Sequence, residues 1–410
     1  MAEQLIPVEE ALRRVLVSAA EPLGEEWVEL VEAAGRTLAR DVVALRTQPP
    51  FANSAMDGWA LRAADAATPA ARLRIAGESA AGRAFDGFVA AGEAVRIFTG
   101  APIPEGADAV VIQEEARREG ESVVIAATAA PGDNVRVAGL DFRDGETLLP
   151  AGTRLTPRAV ALAAAANHHA VAVRRRPRVA ILATGDELVA PGEPLGPSQI
   201  VASNNYFIAG LVEAAGGVSI DLGIAADEPS ALAAKILAAR DAEADVLVTL
   251  GGASVGDYDL VRKALTDAGM DLGFWRIAMR PGKPLMHGRL AGVRVLGLPG
   301  NPTSSAVCGT LFLRPLLRAL LADPAAGADP SEPARLAVAL PANGVREDYM
   351  RATIARDPAG LWLATPLPDQ DSSLVRALAL ADALIVRPPG APQAPAGEAC
   401  RVIRLERMGA

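Results

Sequence analysis

At 410 residues, half of them apolar, the chain is long enough for about three domains and can bury sizeable cores. Its net charge of −9 argues against a general nucleic-acid or acidic-membrane surface, while leaving room for a local cationic loop. Two cysteines, Cys308 and Cys400, supply neither a disulfide framework nor metal-ligand spacing, and no apolar run approaches the roughly 20 residues of a membrane span. A reducing cytoplasm is the expected setting, with no nucleic acid and no membrane among the partners.

The opening segment mixes acidic and basic residues around an apolar stripe at Val8, Ala11, Leu12, Val15 and Leu16. This predicts a helix over 7–20, with Pro7 in its first turn, and not a secretion signal. A second helical piece is expected over 27–34, ending at Gly35, then a strand near 37–45. From 46 to 142 the character changes to short β-like runs, at 73–76, 94–98, 109–112, 122–126 and 134–137, broken by Gly and Pro. Residues 147–176 return to mixed character, with a helix over 157–166 and a strand over 170–174. The 47–142 segment therefore reads as a β-rich domain inserted into an N-terminal domain made of 1–46 and 143–176.

From Pro177 the pattern becomes a β/α alternation. Strands are expected at 178–183, 218–224, 245–250, 272–278, 284–288 and 293–298, and helices at 204–215, 229–240, 260–268 and 303–321. A Pro/Ala/Gly-rich linker at 323–333 leads to five more strand-like runs, at 334–339, 349–356, 362–365, 383–386 and 398–404. The expected fold is thus multidomain α/β plus β. A central three-layer α/β domain (177–327) with a mixed, mostly parallel sheet is joined by the β-rich insert and a C-terminal β-barrel (328–410).

Three loops of the α/β part are suited to oxyanions. Gly251 and Gly252, with Ser254 just beyond, follow an apolar strand, and glycines let backbone N–H groups approach an anion. Arg280-Pro281-Gly282-Lys283-Pro284 sets two cations on a turn stiffened by proline. Pro299-Gly300-Asn301-Pro302 separates a strand from a long helix. Open α/β sheets bind ligands beyond the carboxyl ends of their strands, so these loops are expected on one rim. Most Lys and Arg are merely solvated; the flanking prolines favour function for Arg280 and Lys283. Asp227 and Asp259 also follow strands, and each is equally placed to cap the helix after it. His168, His169 and His287 show no ligand spacing, and no zinc site is proposed. No nucleotide-binding GxxxxGK[ST] loop is present.

In order and spacing, NSAMDGWA (53–60), FTGAPIPEGADAVVIQE (98–114), GLDFRDG (139–145), ATGDEL (183–188), GGASVGDYD (251–259), RPGKP (280–284) and LPGNP (298–302) match one family. From about residue 5 to its end the chain resembles the molybdopterin molybdenumtransferases, the MoeA and gephyrin E-domain family. The resemblance implies a cytosolic homodimer with an active cleft between subunits. It implies that molybdate is inserted into adenylylated molybdopterin, with Mg2+ in support and AMP released. A molybdopterin adenylyltransferase and apo-molybdoenzymes or their chaperones are the implied partners.

Carried onto this sequence, the resemblance gives Asp57, Thr99, Asp141 and Glu187 catalytic roles and makes Asp227 and Asp259 the metal ligands. Substrate contacts fall to Ser203, Asn204, Gly251, Gly252, Ser254, Arg276, Arg280, Lys283, Pro299, Gly300, Asn301, Pro302, Arg351 and Ser372, with Ser203 and Asn204 doubling as helix cap. The chain departs from the family pattern at Arg276 and Arg280, where Lys is common; the charge is kept, on a larger guanidinium fork. Trp59 and Ala253 also depart from the usual residues. Two alternatives are a catalytically silent molybdopterin-binding scaffold and a molybdopterin adenylyltransferase. The joint presence of the carboxylates and cations argues against the first, and the extra β module and terminal barrel against the second.

Overall fold

Apolar residues alternate along the strands that follow Pro177, and the alternation builds a three-layer sandwich. Val179 and Ile181 face one core with Val246, Val248, Leu250, Leu296 and Leu298, while Ala180, Leu182, Leu247 and Val295 face the other. Strands run in the order Val218–Ala225, Arg178–Thr184, Val246–Leu250, Val293–Leu298, Met286–Leu290, Asp271–Phe274. Five strands run the same way and only Met286–Leu290 runs against them, giving the mixed, mostly parallel sheet. The first core is covered by the helices Val8–Val17 and Asn204–Ala214 and by the segment from Pro302 to Leu320; the second is covered by Pro229–Asp241 and Leu260–Asp267.

This computed structural model describes residues 5–252 and 260–409. The chain forms two units, one of Met1–Glu26, Gly35–Ala39 and Ala172–Ala410, the other of Trp27–Ala34 and Arg40–Val171. In the first, the sheet is followed by five strands, Glu332–Leu336, Glu347–Arg356, Trp362–Pro366, Ala383–Arg387 and Ala399–Arg404. They pair in a ring, because Glu347–Arg356 bonds both Trp362–Pro366 and Ala383–Arg387, and so close a barrel. In the second unit a six-stranded sheet runs in the order Ala109–Ile112, Gly58–Leu61, Glu93–Ile97, Ala71–Ser79, Ser122–Ile125, Ala116–Glu119 over a core of Trp59, Leu61, Leu73, Val111, Val123 and Ile125. Among the described residues no helix is long and apolar enough to cross a membrane.

Three expectations need correction. Residues 27–34 are not a helix: they hold the end of the strand Glu25–Glu29 and the 3₁₀ turn Leu30–Glu32. Trp27 and Val31 are 63% and 83% exposed, so the segment lacks the buried stripe that stabilises a short helix. The strand expected over 272–278 ends at Phe274, and the guanidinium groups of Arg262 and Arg276 each lie 4.0 Å from the centroid of the next ring, Trp275. The helix expected over 303–321 is interrupted, running Pro302–Cys308, then a π turn Gly309–Leu313, then Arg314–Leu320. Pro315 cannot donate the α-helical bond back to Leu311, and the wider turn before it accommodates the missing donor.

Candidate functional site

The carboxyl ends of the parallel strands come together on one rim. Thr184 pairs with Ala225, Ala183 with Leu250, and Leu250 with Leu298, so the loops after these four strands start side by side. Asp271–Phe274 runs the same way as Val293–Leu298, being two antiparallel steps removed, so Trp275 and Arg276 leave the sheet on that rim too.

These loops line a pocket of about 760 Å³. The glycine pair is required by geometry. Gly251 and Gly252 sit at φ +98° and +64°, and a Cβ would stand 2.7 Å from Thr184 O at the first and 2.1 Å from Val261 Cγ2 at the second. Pro299, Gly300, Asn301 and Pro302 form a neighbouring wall, and Ser203 and Asn204 a third. Asn204 Nδ2 donates to Gly300 O at 2.7 Å, tying two walls together. Ser203 occupies the position before the helix Asn204–Ala214 but makes no side-chain cap bond, so the expected capping role of this pair is not realised. Leu188, Ile200 and Val201 form an apolar shelf, and Thr184, Asn205 and Ser304 add polar atoms. Thr184 Oγ1 and Asn205 Oδ1 are buried with no hydrogen-bond partner among the described residues.

Glu187 and Asp227 line the same pocket. Asp227 does not cap the following helix: Glu228 holds that position and Pro229 opens the helix. The Asp227 N–H donates instead to Asp186 Oδ1 at 3.0 Å. Burial, then the charges of Asp186 and Glu187, push the Asp227 carboxyl above the ordinary range. Two carboxylates thus line the pocket, and the charge of Asp186 acts on one of them. Among the described residues no group of three or more His, Cys, Asp or Glu is arranged to hold a metal ion by itself. Ser254 and Asp259 lie outside the described residues.

The cations sit apart from the pocket lining. Arg280 is ion-paired with Asp348, which is nearly buried and holds the guanidinium more firmly protonated than usual. Lys283 is half-buried, with its carbonyl accepting from Ile277 N at 3.1 Å, and the adjacent Pro284 reaches the pocket. Arg276 is half-buried against Trp275. Arg351 is 1% exposed, donates through Nη2 to Asp371 O at 3.1 Å, and is made less basic chiefly by its burial. Gln370 pairs with the Arg351 backbone in both directions, at 2.9 Å each, and so holds the loop that carries Ser372. Ser372 is brought to the PGNP wall: Asn301 Nδ2 donates to its hydroxyl at 3.0 Å and Thr303 N to its carbonyl at 3.0 Å.

Asp57, Thr99 and Asp141 belong to the other unit. Asp57 Oδ1 accepts from Thr99 N at 2.7 Å and from Thr99 Oγ1 at 2.8 Å. These two bonds, and then the charge of Arg96, hold the Asp57 carboxyl below its ordinary range. Asp141 is exposed, and its N–H donates to Gln48 O at 3.0 Å.

Sequence reasoning missed the apolar shelf and the lining residues Asn205, Ser304, Ser373 and Val375. The signal for the shelf was the apolar Ile200-Val201 pair after a Gly/Pro-rich loop; in the structure it is exposed and forms a short parallel pairing with Leu188–Val189.

Three family models match the chain: the MoeA N-terminal region (domain I and II) over residues 6–167, a probable molybdopterin binding domain over 180–319, and the MoeA C-terminal region (domain IV) over 333–405. A molybdopterin molybdenumtransferase of Bacillus subtilis is 35% identical over 98% of this chain and 94% of its own length. One from Nostoc is 42% identical over 72% of this chain and 69% of its own. The crystal structure of a molybdopterin biosynthesis MoeA protein from Pyrococcus horikosii superposes with a TM-score of 0.82 at 32% identity, covering 98% of this chain and 99% of that one.

Proposed function

Since the chain belongs to the molybdopterin molybdenumtransferase family, we propose that the rim pocket takes adenylylated molybdopterin and that molybdate is delivered there from the neighbouring cations. The chain is an enzyme of molybdenum cofactor biosynthesis that inserts molybdenum, with molybdopterin and molybdate as its substrates. The observation that carries the reading is the composition of the pocket: an apolar group, glycine backbone and two carboxylates on one strand-end rim.

Each part suits a part of the substrate. The shelf of Leu188, Ile200 and Val201 buries a planar heterocycle. The backbone at Gly251 and Gly252 and the amides opening the helix Asn204–Ala214 suit phosphate oxygens. Molybdate is a dianion, and Arg276, Arg280, Lys283 and Arg351, with the Ser372 hydroxyl, form its cradle. Release of AMP is the accompanying hydrolysis, and Glu187 positions the attacking water.

Mg2+ fits the donor set. Hard carboxylate oxygens are its usual ligands, few are needed when phosphates complete the shell, and a cation relieves the charge crowding that raises the Asp227 carboxyl. Asp227 and Asp259 would hold it, and when bound it offsets the charge of the departing phosphate. Asp57, Thr99 and Asp141 complete the pocket of a partner subunit in a cytoplasmic homodimer. A molybdopterin adenylyltransferase supplies the substrate, and apo-molybdoenzymes or their chaperones accept the product.

The test is anaerobic incubation of the purified protein with adenylylated molybdopterin, Mg2+ and molybdate, following AMP and reconstitution of an apo-molybdoenzyme. Molybdate-dependent AMP release that disappears in Asp227→Ala and Lys283→Ala supports the reading. Release that persists in both variants rejects the site.

A further inference from the structure

Arg96 lies in the strand Glu93–Ile97, directly opposite Trp59 of the antiparallel strand Gly58–Leu61. Opposed residues share a face of the sheet, so the arginine lies beside the indole, with its Cζ 5.6 Å from that ring and 4.8 Å from the ring of Phe98. Its two terminal nitrogens reach different acceptors. Nη1 donates to Gly58 O at 2.9 Å and Nη2 to Gln113 Oε1 at 2.8 Å. Gln113 N in turn donates to Asp57 O at 3.0 Å. One guanidinium therefore grips the carbonyl of Gly58, the residue after Asp57, together with the residue that anchors Asp57's own carbonyl and the ring just before Thr99.

We infer that Arg96 is a positioning residue for the reaction: its fork and its planar face fix the Asp57 carboxylate and the Thr99 hydroxyl against each other. The inference rests on the reading of Asp57 and Thr99 as site residues. Two loops far apart in sequence bear these groups, and the hydrogen bonds from Thr99 to Asp57 are exposed. Exposed bonds of this kind are weak and easily exchanged for water. Arg96 supplies the part-buried support beneath them, and its positive charge favours the ionised carboxylate that accepts both bonds. Lysine reproduces the charge but not the fork or the flat face.

The experiment uses the full chain with Arg96→Gln, Arg96→Lys and Asp57→Asn. It reads thermal unfolding, the molybdate-dependent AMP release, and the carboxyl titration of Asp57 by carbon-13 NMR, assigned through Asp57→Asn. Thr99 and Arg96 are the groups whose hydrogen bonds and charge act on that carboxyl. In folded Arg96→Gln, kcat should fall roughly ten- to a hundredfold while KM for molybdate holds, as expected when a reacting group drifts by about an ångström. The Asp57 midpoint should rise, and the acid limb of the pH–rate profile should move up with it. Arg96→Lys should restore the midpoint but only part of kcat. Wild-type kcat and an unmoved midpoint in Arg96→Gln overturn the inference; should that variant not fold, full kcat in Arg96→Lys overturns it. Loss of activity in Asp57→Asn beside full activity in Arg96→Gln refutes the positioning role alone. Full activity in Asp57→Asn refutes the reading of Asp57, and the positioning role with it.

Discussion

Replacing Gly58 with alanine puts a methyl carbon into the backbone of the neighbouring strand. The added Cβ would stand 2.0 Å from Val111 O, 2.9 Å from Val111 C and 3.0 Å from Ile112 Cα. None of these atoms has a rotamer to escape into, so the strands Gly58–Leu61 and Ala109–Ile112 must part by about 1 Å before the worst contact reaches even a tight 3.0 Å. Overpacking of a buried site costs about 1–3 kcal/mol, and a ladder hydrogen bond weakened by the separation adds about 0.5–1.5 kcal/mol. The expected loss is about 1.5–4.5 kcal/mol. Urea unfolding followed by tryptophan fluorescence reads it, because Trp59 is only 5% exposed and adjoins the site. With a slope of about 2 kcal/mol per molar urea, the midpoint should fall by roughly 0.75–2.25 M. Gly24→Ala, whose Cβ would meet nothing within 4 Å, is the control and should stay within about 0.5 kcal/mol. A Gly58→Ala protein within about 1 kcal/mol of the parent would refute the claim that this glycine is there for want of space.

Asp227 should show a trade between stability and activity. Its carboxyl is raised in the folded state, so the stability it contributes is full below the unfolded value and is lost as pH rises through the folded one; Asp227→Asn should therefore melt roughly 1–3 °C higher at neutral pH while AMP release falls at least about a hundredfold. A lower melting point at pH 7 would contradict the sign. Lys283→Ala should raise KM for molybdate roughly ten- to a hundredfold at unchanged thermal stability, in steady-state assays over a molybdate series; an unchanged KM would remove Lys283 from the cradle. Cys308 is fully buried and its thiol pushed far up, and half-buried Cys400 is pushed up to about 11, so at pH 8 iodoacetamide should label Cys400 slowly and Cys308 only after denaturation. Mass spectrometry reads the order, and fast native labelling of Cys308 would contradict the packing.

Much of the architecture was legible because local pattern and tertiary context agree. The runs 109–112 and 293–298 were bounded correctly, since each is a short apolar stretch closed by turn residues and buried on both faces. The rim loops were found through their glycines and prolines, residues whose backbone demands survive folding unchanged. Periodicity failed where something non-local decides. At 27–34 Trp27 and Val31 have no core to meet, and at 309–313 a proline further along the helix sets the local winding. Single-sequence reading also could not separate pocket wall from cradle. Arg351 lies in a strand that reads as core and is buried as deeply as Leu155 or Leu182, yet it is held by a glutamine and a carbonyl from a loop nearly twenty residues away. The carboxylate Asp348 that pairs with Arg280 comes from the terminal barrel, and nothing in the RPGKP loop announces it.

The sheet of the second unit has two margins, and both are closed to strand addition. At one, Val110 points its N–H and C=O away from its neighbours, but Asp133 O accepts the first at 2.9 Å and Asn134 Nδ2 donates to the second at 2.8 Å. The 132–134 turn thus covers what would be a template for another chain. At the other margin the strand Ala116–Glu119 is four residues long and carries exposed Arg117 and Arg118. Short, charged margins repel a second copy of themselves. With the terminal barrel closed on itself as well, the edges left for strand addition among the described large sheets are those of the α/β sheet, Val218–Ala225 and Asp271–Phe274.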